Sequence, residues 1–211
     1  MNIIDDLVRP SEVGAPEYSA DHLLPWMMEK EGKLRPTINQ VLSHPFFWDA
    51  NKSLMFLVDV VRSVKLNDKR DRNLVSLREK IDQSYRERIE GLQEETSWKL
   101  KIKARLVDLL LKRKSKGWKE YNGESLLMLV ELIRDKLTHS DDIQDELLSD
   151  EFFGEGGSFS DEKYMEYFLT TFPDMITFLF CALVNERRNP AISMLRIKYF
   201  SEFGNVPFMS A

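Results

Sequence analysis

Apolar residues return every three or four positions along most of this chain, the spacing of one face of an α-helix. Leu54, Leu57, Val58, Val61 and Val64 form one stripe over about 52–65, with Asp49 placed to cap its start. A helix over about 21–30 would turn Leu23, Leu24, Met27 and Met28 inward and end at Gly32. A short one, 38–43, would follow Arg35-Pro36-Thr37 and stop before Pro45. Further helices are predicted over about 74–92, 97–112, 125–139 and 161–170, and from Pro173 to about Glu186. Between them lie a charged loop at 67–72, a loop at 114–122 and the connector Glu155-Gly156-Gly157-Ser158. The segment after Pro190 has no clear period. The sum is an all-α chain whose expected core includes Leu54, Val58, Leu126, Leu129, Leu132, Ile133, Phe168, Phe172 and Phe180. The alternating stretch Lys99 to Arg105 is the one place where a strand competes with a helix.

Composition supports this. At 211 residues and 43% hydrophobic, the chain can bury one sizeable core, and its nine glycines are few for a β-sandwich. One cysteine, Cys181, excludes a disulfide framework and suggests a reducing, cytoplasmic setting. It lies in the apolar run 176–184, which is too short to span a bilayer, so no membrane contact is expected. No N-terminal signal is visible.

The net charge of −5 excludes a general nucleic-acid coat, but charge is unevenly spread. From Lys99 to Lys119 there are nine basic residues against one acid, and from Ser140 to Glu162 nine acids and no Lys or Arg. Lys112, Arg113, Lys114, Lys116 and Lys119 in that basic stretch are candidate contacts to an RNA backbone, with Trp118 a candidate stacking surface. A solvated helix face and an ordinary core tryptophan are the competing readings.

The basic stretch leads into the chemically richest pattern. Tyr121 precedes Arg134 by thirteen residues, and Asp135 and His139 follow on the same predicted helix. An imidazole exchanges a proton near neutral pH, a guanidinium holds phosphate by paired hydrogen bonds, and a phenol can sit beside a ribose hydroxyl. These groups can cleave RNA with no metal and no cofactor. Plainer readings remain open: Arg134 pairing with Glu131, Tyr121 as a half-buried tyrosine, and His139 in a surface pair with Asp135. His22 reads as exposed and His44 as structural.

Two motifs carry a family resemblance. Leu23-Leu24, Met28, Arg35-Pro36-Thr37 and Val41-Leu42-Ser43-His44-Pro45-Phe46-Phe47 resemble the last helices of a protein-kinase C-lobe. The glycine-rich loop, strand lysine, catalytic-loop Asp/Asn and Asp-Phe-Gly are all missing, so kinase chemistry is not expected. His44-Pro45-Phe46-Phe47-Trp48 before an Asp-initiated helix is similar to the joint of the kinase-extension nuclease (KEN) family. So are the Tyr121 spacing, Arg134-Asp135-x-x-x-His139 and the stretch Tyr167 to Asp174. The resemblance divides the chain into a C-lobe remnant (1–46), a KEN domain (47–189) and a tail (190–211). Met1 falling inside the lobe-like stretch suggests a fragment, a partial gene model or a truncated paralogue.

The resemblance implies a helical nuclease that acts as a dimer, with itself or with a related KEN protein. It would cut single-stranded RNA by 2′-hydroxyl attack, leaving a 2′,3′-cyclic phosphate and a 5′-hydroxyl. His139 is then the general acid, Tyr121 the group beside the 2′-hydroxyl and Arg134 the phosphate clamp. The family has Asn where this chain has Asp135. Four residues before His139, Asp135 shares its face and would favour the imidazolium, yet a carboxylate repels phosphate by on the order of 1 to a few kcal/mol. The expectation is a slow nuclease, the alternative an inactive module that binds or regulates an active relative.

Overall fold

The computed structural model describes residues 17–64, 70–113, 117–118, 120–140, 152 and 158–204. Among these, nine α-helices are joined by short 3₁₀ turns. They are α1 (Glu17–Met27), α2 (Ile38–Leu42), α3 (Ala50–Val64), α4 (Arg72–Gly91), α5 (Ala104–Leu111), α6 (Leu126–Thr138), α7 (Asp161–Thr171), α8 (Met175–Asn185) and α9 (Ser193–Tyr199). One two-residue antiparallel ladder is added: β1 (Lys112–Arg113) against β2 (Gly117–Trp118). The all-α expectation holds. The Lys99–Arg105 stretch is neither one helix nor a strand. Trp98–Leu100 forms a 3₁₀ turn and α5 starts at Ala104, so the helix foreseen over 97–112 is much shorter. The connector 155–157 and the basic residues Lys114, Lys116 and Lys119 lie outside the described residues.

Helix starts follow local chemistry. Thr37 and Gln40 form a reciprocal capping box at α2. Asp49 Oδ1 accepts from the Lys52 amide at the head of α3, and Asp71 accepts from Asn73 and Leu74 at α4. α4 ends in paired bonds from Gln93 to Glu90 O and Glu94 to Ile89 O, both 3.1 Å, with Gln93 at φ 55°.

α3 lies at the centre, packed against α6, α7 and α9. Its buried stripe includes Leu54, Phe56, Leu57, Val60, Val61 and Val64. Phe56 and Val60 take the inward role expected of Val58, which is half-buried. α8 is buried almost all round, and its Phe180 meets Phe56, Phe200 and Phe203. No single helix among the described residues is long and apolar enough to cross a membrane. α7 and α8 pass that test only together, across an 82° bend.

Both flanks differ from expectation. Residues 190–204 are ordered structure, and Ile192, Leu195, Tyr199, Phe200 and Phe203 join the core. A period test missed them because aromatic residues on three short elements, not one long helix, bury this segment. At the other end, Leu23 and Trp26 of α1 are buried while Leu24, Met27 and Met28 are exposed. Trp26 stacks on Phe203, and Gln40 Nε2 donates to Glu202 O at 3.0 Å, so the first and last described elements meet. His22, read as exposed, is half-buried and bonded. Phe46 N–H donates to His44 Nδ1, which puts the proton of a neutral His44 on Nε2, 3.1 Å from His22 Nδ1. His22 Nε2 then faces Cys181 Sγ at 3.4 Å. Burial, and secondarily His22, push the His44 pKa down to about 3. Burial pushes the Cys181 thiol up, as expected of an inert sulfur.

Candidate functional site

The site grows from α6 and the loop before it. Ser125 caps the helix: its Oγ accepts from Met128 N–H and donates to Asp82 Oδ2 at 2.6 Å, while Asp82 Oδ1 accepts from Leu127 N–H. Asp82 is thus an acid at a helix N-terminus, contributed by α4. Burial nonetheless holds its pKa above the usual carboxylate value, against the lowering effect of Ser125. Trp98 pins the same loop, donating from Nε1 to Asn122 O and Ser125 O and from its amide to Gly123 O at 2.9 Å. A Cβ on Gly123 would come within 2.2 Å of Ser97 Oγ, so this approach needs glycine or a displaced serine.

This clamp sets Tyr121 against the far end of α6. Its ring is 1% exposed, and its hydroxyl donates to Asp135 Oδ2 at 3.0 Å. Asp135 Oδ1 lies 2.9 Å from Arg134 Nη2, which also stands 3.8 Å from Glu131 Oε1. Arg134 Nε is buried and has no acceptor among the described residues. Tyr164, from α7, donates to Ile133 O at 3.0 Å. Burial pushes its phenol well above the usual range, and nearby Tyr121 and Asp135 push the same way. His139 caps the C-terminus of α6 through its amide, 3.0 Å from Asp135 O, and its side chain is exposed.

Tyr121, read as a half-buried tyrosine or as the group beside the ribose, is fully buried, because the Trp98 clamp seats its ring in the core. Asp135 is expected from the sequence to favour the His139 imidazolium, but its oxygens meet Tyr121 Oη at 3.0 Å and Arg134 Nη2 at 2.9 Å. Arg134, Asp135 and Tyr121 thus come together, with His139 one turn on and open to solvent. Of the candidate RNA contacts, Lys112, Arg113 and Trp118 lie on the β1–β2 ladder by their backbones. Sequence reading missed the Arg134–Asp135 pair, and it missed Asp82 and Tyr164, which join the site by packing rather than by local pattern.

The match to known proteins covers this whole site. The family model described as Ribonuclease 2-5A matches residues 53–194, well over half of the chain. The chain belongs to that family, the KEN-domain ribonucleases. It is similar to the serine/threonine-protein kinase/endoribonuclease IRE1 of Hypocrea jecorina, 32% identical over 160 residues, which are 75% of this chain and 11% of that protein. It is also similar to the probable serine/threonine-protein kinase ireA of Dictyostelium discoideum, at 30% over 152 residues, 69% of this chain and 14% of that protein. A third relative is the sensor for unfolded proteins in the ER, ire1, of Schizosaccharomyces pombe, at 30% over 138 residues, 65% of this chain and 12% of that protein. The chain therefore corresponds to a small part of each of these relatives.

Proposed function

We propose that this domain is an endoribonuclease that cleaves single-stranded or loop RNA. The ribose 2′-hydroxyl gives its proton to solvent water as its oxygen attacks the adjacent phosphorus, the P–O5′ bond breaks, and the products carry a 2′,3′-cyclic phosphate and a 5′-hydroxyl. The carrying observation is His139: an exposed imidazole closing α6, one turn past Arg134, in a chain of the ribonuclease family. His139 supplies the proton to the leaving O5′. Arg134 trades its Asp135 partner for the phosphate, and the Tyr121 hydroxyl turns from Asp135 toward the ribose. A second copy of the chain, or a related KEN domain, completes the groove, and the reaction takes place in the cytoplasm.

One observation favours a second reading. Asp135 holds both the Tyr121 hydroxyl and the Arg134 guanidinium, so two of the three catalytic groups are engaged by a carboxylate. A domain locked in this way would serve as a regulatory partner of an active relative. Incubation with a stem-loop RNA in excess EDTA, followed by end-group analysis, separates the two. Cleavage to 5′-hydroxyl ends that is lost in His139→Ala supports the nuclease. RNA binding without cleavage by wild type and by Asp135→Asn alike supports the module.

A further inference from the structure

A cavity rimmed by arginines lies away from Tyr121 and His139, where the end of α8 meets α9. It has a volume of about 440 Å³ and is lined by Arg187, Arg188, Arg196, Ile197, Phe200 and Ser201, among others. Among the described residues, no carboxylate belongs to this lining. Three guanidiniums round one cavity give it a positive field that favours an anion.

Their surroundings sharpen the point. Arg187 is fixed by carbonyls, donating from Nε to Gly204 O at 2.6 Å and from Nη1 to Val184 O at 3.0 Å, so it forms a rigid wall. Glu186, the adjacent acid, is taken by Lys80 at 2.8 Å. On α9, Lys198 pairs with Asp59 at 2.6 Å, whereas Arg196, two residues earlier, has no side-chain partner among the described residues. Ile197 is 72% exposed beside it, an apolar surface at the rim of a charged cavity.

We propose that this cavity binds a phosphorylated small molecule of about mononucleotide size. Arg196 and Arg188 take the phosphate dianion, for which guanidinium forks are suited, and the Ser201 hydroxyl lies within the same lining to donate to it. The organic body lies against Ile197 and the edge of Phe200. The volume falls within the range of small-ligand pockets, roughly 300–1,000 Å³, and is far more than a bare phosphate fills.

The test is calorimetric titration of the full chain with AMP, adenosine and inorganic phosphate, with ³¹P line broadening as a second readout. Wild type should bind AMP more tightly than phosphate and should not bind adenosine. The exposed double variant Arg188→Gln/Arg196→Gln should weaken AMP binding at least tenfold while its circular dichroism shows the fold retained, and Arg134→Gln leaves the binding unaltered. The proposal falls if AMP does not bind at millimolar concentration, if adenosine or phosphate alone binds equally well, or if the double variant binds as wild type does. Loss of AMP binding in Arg134→Gln would overturn it by assigning the ligand to the nuclease site. A double variant that loses stem-loop RNA affinity, in a protein that never bound AMP, would also overturn it and give the face to nucleic acid.

Discussion

The Tyr121 hydroxyl donates a 3.0 Å hydrogen bond to Asp135 Oδ2, joining the loop before α6 to the last turn of that helix. The other oxygen of Asp135 faces Arg134. An asparagine at this position could accept from one of these groups, but its amide nitrogen would face the other as a donor. The aspartate is therefore what allows both contacts at once, and it neutralises the charge that would otherwise meet a phosphate.

Replacing Asp135 with Asn should increase the rate of RNA cleavage. It frees Arg134 from its ion pair and offers phosphate a donor where a repelling charge stood. The gain should be larger at low salt, where charge repulsion is least screened. It should vanish in the Asp135→Asn/His139→Ala double variant. Single-turnover kinetics on a stem-loop RNA measure both, and a double variant as fast as Asp135→Asn would remove His139 from the mechanism.

Tyr121→Phe removes a buried donor to a charged acceptor. A hydrogen bond to a charged group contributes about 1.5–3 kcal/mol, so urea unfolding should show a loss of that size. If Tyr121 also acts beside the 2′-hydroxyl, cleavage well below the melting temperature should fall as well. A stability loss with an unchanged rate would make Tyr121 purely structural.

The basic stretch before Tyr121 should carry the RNA backbone. Neutralising Lys112, Arg113 and Lys114 to Gln should weaken RNA binding and reduce the slope of log K against log salt by about 2, at roughly 0.7 per phosphate contact with single strands. Circular dichroism should be unchanged. An unaltered slope would make this an ordinary solvated face.

His44 should make the fold acid-sensitive. In the folded chain it stays neutral down to about pH 3, because burial disfavours its charge. In the unfolded chain an imidazole binds a proton near pH 6.5. The unfolded state thus takes up the extra proton, and stability is lost as pH falls from about 6.5 toward 3. Between pH 7.5 and 4.5 the loss from this group is on the order of 2–3 kcal/mol. Urea midpoints at the two pH values should differ markedly for wild type and much less for His44→Asn.

Gln93 should be improvable. It sits at φ 55° just past the end of α4, in the left-handed region that side chains with a Cβ resist. Gln93→Gly should raise stability by about 0.5–1 kcal/mol in the same unfolding assay. A loss of stability would mean that the backbone there is not held in this conformation.

Much of the fold was legible locally. The α6 limits, about Ser125 to His139, followed from a three-and-four period, a short-range signal. The Thr37 turn and the Asp49 cap were legible for the same reason. So was the family, because the spacing of Tyr121, Arg134 and His139 is a property of the chain alone.

Only tertiary structure decided which partner each polar group takes. Arg134 could reach Glu131 or a phosphate, and Asp135 could reach His139; a loop clamped by Trp98 brought Tyr121 in from outside the helix and settled the matter in favour of Asp135. It also decided which face of α1 is inside, since Trp26 finds Phe203 across nearly the whole chain, and it drew Arg187, Arg188 and Arg196 round one cavity. Periodicity reports how a segment meets a core in general. Pairing between residues far apart in sequence depends on how the elements pack, and no local pattern encodes that.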